Sequence, residues 1–205
     1  MTLEIPAGVT PHLFFGEILP AEHARLTGGN DQGPESVTEV ELLGDGGGTW
    51  AFAVRGGKLM QTEPGELPAD LWIRQDAADW RAFMDEITGA GSASAGRAGT
   101  AALVMTDVGT RQRLLALKGS VRFELKGLGG RDWNLTLGLR DASRDEPGAT
   151  ISMNVEDYRA LLDGKLDPMQ AFMQGKTRLS GDTNLAMQYG MALLPLFQPS
   201  RSGPR

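Results

Sequence analysis

The sequence predicts an α+β protein whose sheet is covered by helices on one face only. Two observations predict it. Between Val121 and Asn154 apolar and polar residues alternate with a period of two, which gives each strand one greasy and one wettable face. From Val155 onward the spacing of apolar residues changes to that of helices, with capping residues at the starts and glycines at the stops.

The carboxy-terminal strands come first. Val121, Phe123 and Leu125 alternate with Arg122, Glu124 and Lys126, and Trp133, Leu135, Leu137 and Leu139 alternate with Asn134, Thr136 and Gly138. The connection Gly127-Leu128-Gly129-Gly130-Arg131-Asp132 joins them as a hairpin. After the turn signal Glu146-Pro147-Gly148, residues 149–154 form a third strand with Ile151 and Met153 on its inner face.

Asn154 then stands at the cap position of a helix over 155–162, with Glu156 and Asp157 in its first turn and Gly164 beyond its end. Asp167-Pro168 opens a second helix in which Met169, Phe172 and Met173 share a face, and Gly175 stops it. Residues 177–182 read as a short strand. Asp182 or Thr183 starts a last helix that is apolar nearly all round up to Phe197, so it is expected to be packed on both sides or to rest on a ligand or partner. Pro195 prevents a long continuation of it.

The amino-terminal half shows a related order. Residues 40–44 (VELLG) precede 123–127 (FELKG) by 83 residues, and Trp50 precedes Trp133 by the same 83. Residues 69–74 resemble 149–154, and Asp79-Trp80-Arg81-Ala82 matches Asp157-Tyr158-Arg159-Ala160 at an offset of 78. An internal duplication accounts for these offsets, and a chance likeness of two sheet-and-helix segments is the competing account. The expected domains are a degenerate first copy over 1–88, a Gly/Ala/Ser linker over 89–100, a second copy over 101–198 and a flexible tail over 199–205.

Composition narrows the function. The chain has 205 residues, 40% of them apolar, and a formal charge of −6. A core is therefore affordable in size, and no basic field exists to hold nucleic acid. With no cysteine, thiol nucleophiles and Cys-ligated metals are excluded. No stretch approaches the length of a spanning helix and the first residues lack a basic leader, so the reading is a cytoplasmic protein.

No reaction centre emerges from the residues. His12 and His23 have no partnering Ser or Asp pattern and no metal spacing. Gly44, Gly46, Gly47 and Gly48 lie between two strands, which marks a hairpin turn and not a phosphate loop. The acid pairs Glu156 with Asp157, Asp141 with Asp145 and Asp76 with Asp79 read as helix-terminal or solvated charges. The expectation is a non-enzyme with no cofactor and no metal. What stands out is soft and apolar: nine methionines, of which Met153, Met169, Met173, Met187 and Met191 fall on the inner strand face or the last two helices. Methionine repacks easily around ligands of different shape, but a simple core explains the same residues.

Residues 172–197 (FMQGKTRLSGDTNLAMQYGMALLPLF) resemble the sterol-carrier-protein-2-like lipid-binding family, whose run is FM-x-GK, a strand, G-[DN] and an apolar helix with an Ala-Met step. Phe172, Met173, Gly175, Lys176, Gly181, Asp182, Leu185, Ala186 and Met187 stand at matching positions. Upstream, residues 123–127, 133–139 and 151–168 resemble the family's strand pair and strand-helix step, and 109–119 is the counterpart of its first helix. The likeness covers about 100–197. The first copy departs from it, because the linker stands where FM-x-GK and its strand would be.

The resemblance implies a five-stranded, largely antiparallel sheet covered on one face by helices and enclosing a tunnel for sterols, fatty acids or acyl-CoA. The tunnel residues it implies are Phe123, Leu135, Leu137 and Met153 on strands, and Phe172, Met173, Met187, Met191 and Leu194 on helices. The implied function is non-catalytic binding and transfer of an apolar ligand, with transient membrane contact at the last helix. The competing reading is an accessory module with a side-chain-filled core that forms a homodimer.

Overall fold

Strand alternation decides which side of the sheet each residue takes, and here it makes one continuous apolar face. The computed structural model describes residues 5–89 and 107–197. Its strands are β1 (Ser36–Leu43), β2 (Gly48–Arg55), β3 (Lys58–Thr62), β4 (Leu71–Asp76), β5 (Ser120–Leu128), β6 (Arg131–Leu139), β7 (Ala149–Asn154) and β8 (Arg178–Gly181). They form one eight-stranded sheet in the order β3-β2-β1-β4-β6-β5-β7-β8. Two pairings, β1 with β4 and β5 with β7, are parallel and the rest are antiparallel.

This corrects the five-stranded sheet. The carboxy-terminal half supplies four strands, and the neighbour of β6 on its other side is β4 from the first half, so both halves share one mixed sheet. The expected linker, apart from Gly89, and the expected tail lie outside the described residues.

The helices are α1 (Pro11–Leu13), α2 (Leu19–Thr27), α3 (Ala77–Gly89), α4 (Val108–Leu115), α5 (Val155–Leu162), α6 (Pro168–Met173) and α7 (Thr183–Phe197), with a π-helical segment, Phe14–Ile18, joining α1 to α2. Thr10 caps the start of this run by accepting from the Leu13 amide, and Gly28, at φ 62°, ends it in the left-handed conformation that glycine adopts without strain. The sequence reading assigned neither this run nor β3.

On the helix side of the sheet lie Val40, Trp50, Phe52 and Ile73 from the first half and Val121, Leu125 and Leu137 from the second, all buried. The opposite face carries Glu39, Glu41, Arg74, Arg122 and Thr136. Pairing in register explains the division, since one step along any strand swaps the faces.

The same connectivity occurs twice: a hairpin, then a strand laid parallel beside its first member, then a helix. Val40 faces Ile73, and Phe123 faces Ile151, so matching Val40 to Phe123 matches Ile73 to Ile151 at 78 residues. That is also the offset of the helices, whereas residues 69–74 and 149–154 lie 80 apart. The tryptophans do not correspond in register, because Trp50 faces Val40 whereas Trp133 faces Leu125.

In the first half aromatic rings occupy the space between helices and sheet. Phe15 stacks on Trp50 with centroids 4.8 Å apart, and Phe14 meets Phe15 and Trp80 edge-on at 5.1 and 5.7 Å. Helix α3 then carries the packing across to the second half. Phe83 lies 5.2 Å from Trp133, Glu86 holds Arg159, and Asp79 accepts from the Asn134 amide at 3.0 Å and pairs with Arg131 at 2.9 Å. A second tie is fully buried: Asp31 is held between His23 at 2.8 Å and Arg111 of α4 at 2.7 Å.

Candidate functional site

In the second half the corresponding space is open. A cavity of about 510 Å³ lies between the apolar face of the sheet and α5, α6 and α7, within the range usual for small-molecule sites. The floor follows from strand alternation: Phe123 and Leu125 of β5, Leu135 and Leu137 of β6, and Ile151 and Met153 of β7 all project to this side. The roof comes from Leu161 of α5, Met169 and Phe172 of α6, and Met187, Met191 and Leu194 of α7.

Each roof helix is held by its own local chemistry. Asp167 caps α6, its Oδ1 accepting from the Met169 and Gln170 amides at 2.8 and 3.0 Å. Asp182 does the same for α7 through the Leu185 amide at 3.0 Å. Asn154 takes the cap position of α5 without a side-chain hydrogen bond. Tyr189 anchors the middle of α7, its buried hydroxyl donating to the Gly119 carbonyl at 2.8 Å, and burial pushes its phenol well above the ordinary value. Arg113 of α4 donates to the Ala192 carbonyl at 3.2 Å and braces the helix three residues further on.

The cavity gathers Phe123, Leu135, Leu137, Met153, Phe172, Met187, Met191 and Leu194 of the residues expected at a tunnel. Met173 is the exception, 79% exposed and outside the lining. The buried position of α6 is Ala171, and Met173, the last residue of that helix, lies in solvent. Helix α7 packs on one side only, with Ala186, Tyr189 and Leu193 buried and Met187 and Met191 exposed at the rim, so of the two arrangements expected for it the first does not hold.

The wall also contains residues the sequence reading left out. Ile73 comes from β4 of the first half, and Trp133 and Tyr158 are backed by Phe83 of α3, with centroids 5.2 and 6.4 Å away. The period-two signal that marks Leu135 marks Trp133 as well. Ile73 could be found only from the β4–β6 pairing, which is not local in sequence.

The groups weighed for chemistry sit elsewhere. His23 is buried against Asp31, and His12 packs edge-on to Trp50 at 5.3 Å; neither lines the cavity. Asp79, Asp145 and Asp157 are engaged with Arg131, Arg74 and Lys176. Burial raises the Asp79 carboxyl, against the pull of the Asn134 amide and Arg131. Among the described residues no cluster of three or more His, Asp or Glu is placed to hold a metal ion, and no helix is long and apolar enough to cross a membrane.

Fold and site together define an α+β module that encloses an apolar cavity between a one-sided sheet and its helices. Residues 101–194 match the model of the SCP-2 sterol transfer family. The chain is similar to Hydroxysteroid dehydrogenase-like protein 2 of Bos taurus, 32% identical over 79 residues, covering 36% of this chain and 19% of that protein. It is also similar to Sterol carrier protein 2 of Homo sapiens, 32% identical over 78 residues, covering 34% and 14%. The chain thus spans less than a fifth of the length of these curated relatives. Among solved structures, sterol carrier protein domain 2 of Helicoverpa armigera aligns with a TM-score of 0.38 and 20% identity over 61% of this chain and 93% of that one. Sterol Carrier Protein 2 Like 2 of Aedes aegypti aligns with a TM-score of 0.29 and 22% identity, covering 46% and 94%.

Proposed function

We propose that the carboxy-terminal half binds an apolar lipid reversibly and without chemistry, and hands it on through the rim formed by α6 and α7. The observation that carries this is the cavity of about 510 Å³ whose floor and roof are almost wholly aliphatic, aromatic or thioether side chains. At about 25 cal/mol per Å², burying roughly 400 Å² of ligand surface gives on the order of 10 kcal/mol before the cost of immobilisation, enough for about micromolar binding. The match of residues 101–194 to a sterol transfer family supports the same reading.

The first half, in this reading, is a related copy that has given up its own cavity. Phe14, Phe15, Trp50 and Trp80 fill the space beneath its helices, while Ile73 joins the wall of the working site and Phe83 backs the Trp133 in that wall. Methionines at 169, 187 and 191, exposed at the rim, suit contact with a donor surface such as a membrane.

Native mass spectrometry of the purified chain, followed by organic extraction, tests the proposal. A co-purified lipid, lost on extraction and regained on adding lipid, is the expected result. An empty dimer that takes up nothing would overturn it in favour of an accessory module.

A further inference from the structure

We infer that the cavity selects uncharged lipids, such as sterols, long-chain alcohols or other neutral oxygen-bearing hydrocarbons, over free fatty acids and acyl-CoA. The inference rests on the cavity being a ligand site, as proposed above. It follows from which charges surround the cavity.

Among the described residues no Lys, Arg or His lines the cavity, and the charged members of the lining, Glu124 and Asp167, are both acids. Strand alternation puts Glu124 on the face opposite to Phe123 and Leu125, which leaves Asp167 as the carboxylate at the rim. Its Oδ1 already occupies the Met169 and Gln170 amides at the start of α6, so those donors are not offered to an incoming anion. The lysines beside the rim are engaged too, Lys165 with Asp163 and Lys176 with Asp157, each at 2.8 Å.

A carboxylate or phosphate entering this space would give up its water, meet a like charge and find no cation in return among the described residues. A neutral hydroxyl or carbonyl gives up far less hydration than an ion and needs no cation.

Chain-matched dodecanol and dodecanoate, competing at pH 8 against a pyrene-labelled fatty alcohol, separate the outcomes. The alcohol should displace the probe with an affinity about tenfold or more above the acid. The acid should gain as pH is lowered toward its own pKa, with the alcohol unchanged. Equal affinities, or a tighter acid, would overturn the charge inference and leave the cavity reading standing. Failure of the probe and both competitors to bind would overturn the cavity reading, and this inference with it. A second variant guards the result: Met187→Lys puts one ammonium at the half-exposed rim, its stem still on apolar surface. It should raise the affinity for the acid relative to the alcohol, and an unchanged ratio in the folded variant would count against the inference.

Discussion

The indole of Trp72 stands where a side chain at Gly138 would have to be. The two residues face each other across the β4–β6 ladder, and a Cβ on Gly138 would lie 2.1 Å from the ring. Arg144 covers the indole with its guanidinium 5.3 Å from the ring centroid, and is itself held by Glu39 at 2.7 Å and Glu41 at 3.5 Å. Trp72 belongs to the first half and Gly138 to the second. The seam between the halves is thus closed by a ring that requires the absence of a side chain opposite.

Gly138→Ala should therefore act on the seam. The ring cannot keep its place, and the expected loss is about 1–3 kcal/mol, read from the midpoint of urea unfolding. In a Trp72→Ala background the same substitution should cost much less, since the two residues share one space. Equal costs in both backgrounds would show that the indole is not the obstacle.

Asp31 makes a different prediction, in pH. Burial by itself raises its carboxyl, but Arg111, the Gly33 amide and His23 together outweigh it and hold the group below its ordinary value. A depressed carboxyl stabilises the fold fully above its unfolded value near pH 4 and loses that contribution as pH falls through the lower folded value. Asp31→Asn should cost about 3–5 kcal/mol at pH 7, because it breaks a buried ion pair with Arg111 by removing one partner's charge. The gap to wild type should stay level down to about pH 4 and narrow below it. A gap that widens in acid would refute the assignment.

What could be read in advance depended on whether the signal was local. Phe123, Leu135, Ile151 and Met153 were legible because the other face of their strands is polar, so the alternation shows. Strand β3 was not, since Lys58–Thr62 is an edge strand with little buried surface and leaves no pattern. Phe14 and Phe15 are adjacent in a π-helical segment, which breaks the helical spacing a reader looks for. Met173 was implied inside by the resemblance, which cannot show that a small residue, Ala171, takes the buried position of that short helix. The joining of both halves into one sheet depends on the β4–β6 pairing, between residues far apart in sequence, and no window along the chain displays it.

The cavity itself can be tested by filling it. Met153 is partly buried on β7 and lines the floor, so Met153→Trp should place an indole inside the space without disturbing the sheet. Uptake of the pyrene-labelled alcohol should be lost while the urea midpoint holds or rises. Met173→Trp, on the exposed side of α6, should leave uptake unchanged. If both variants bind as wild type does, the ligand lies elsewhere.

Tyr189 links the stability of the fold to the hold on the ligand. Its hydroxyl donates to the Gly119 carbonyl, which also accepts from the Leu139 amide at 3.1 Å, so one oxygen ties α7 to the start of β5 and the end of β6. Tyr189→Phe should cost about 1 kcal/mol at neutral pH. Burial holds the phenol above its ordinary value, which favours the neutral form in the folded protein. The stability it confers is complete below about pH 10 and is lost as pH rises through the folded value, so the gap between wild type and Tyr189→Phe should close in strong alkali. Met187, Met191 and Leu194 ride on the same helix and line the cavity. Loosening their anchor should speed ligand release more than it slows entry, which stopped-flow displacement of the pyrene-labelled alcohol would show as a raised off-rate with a nearly constant on-rate. An unchanged off-rate in a destabilised variant would mean that α7 is not the part that moves.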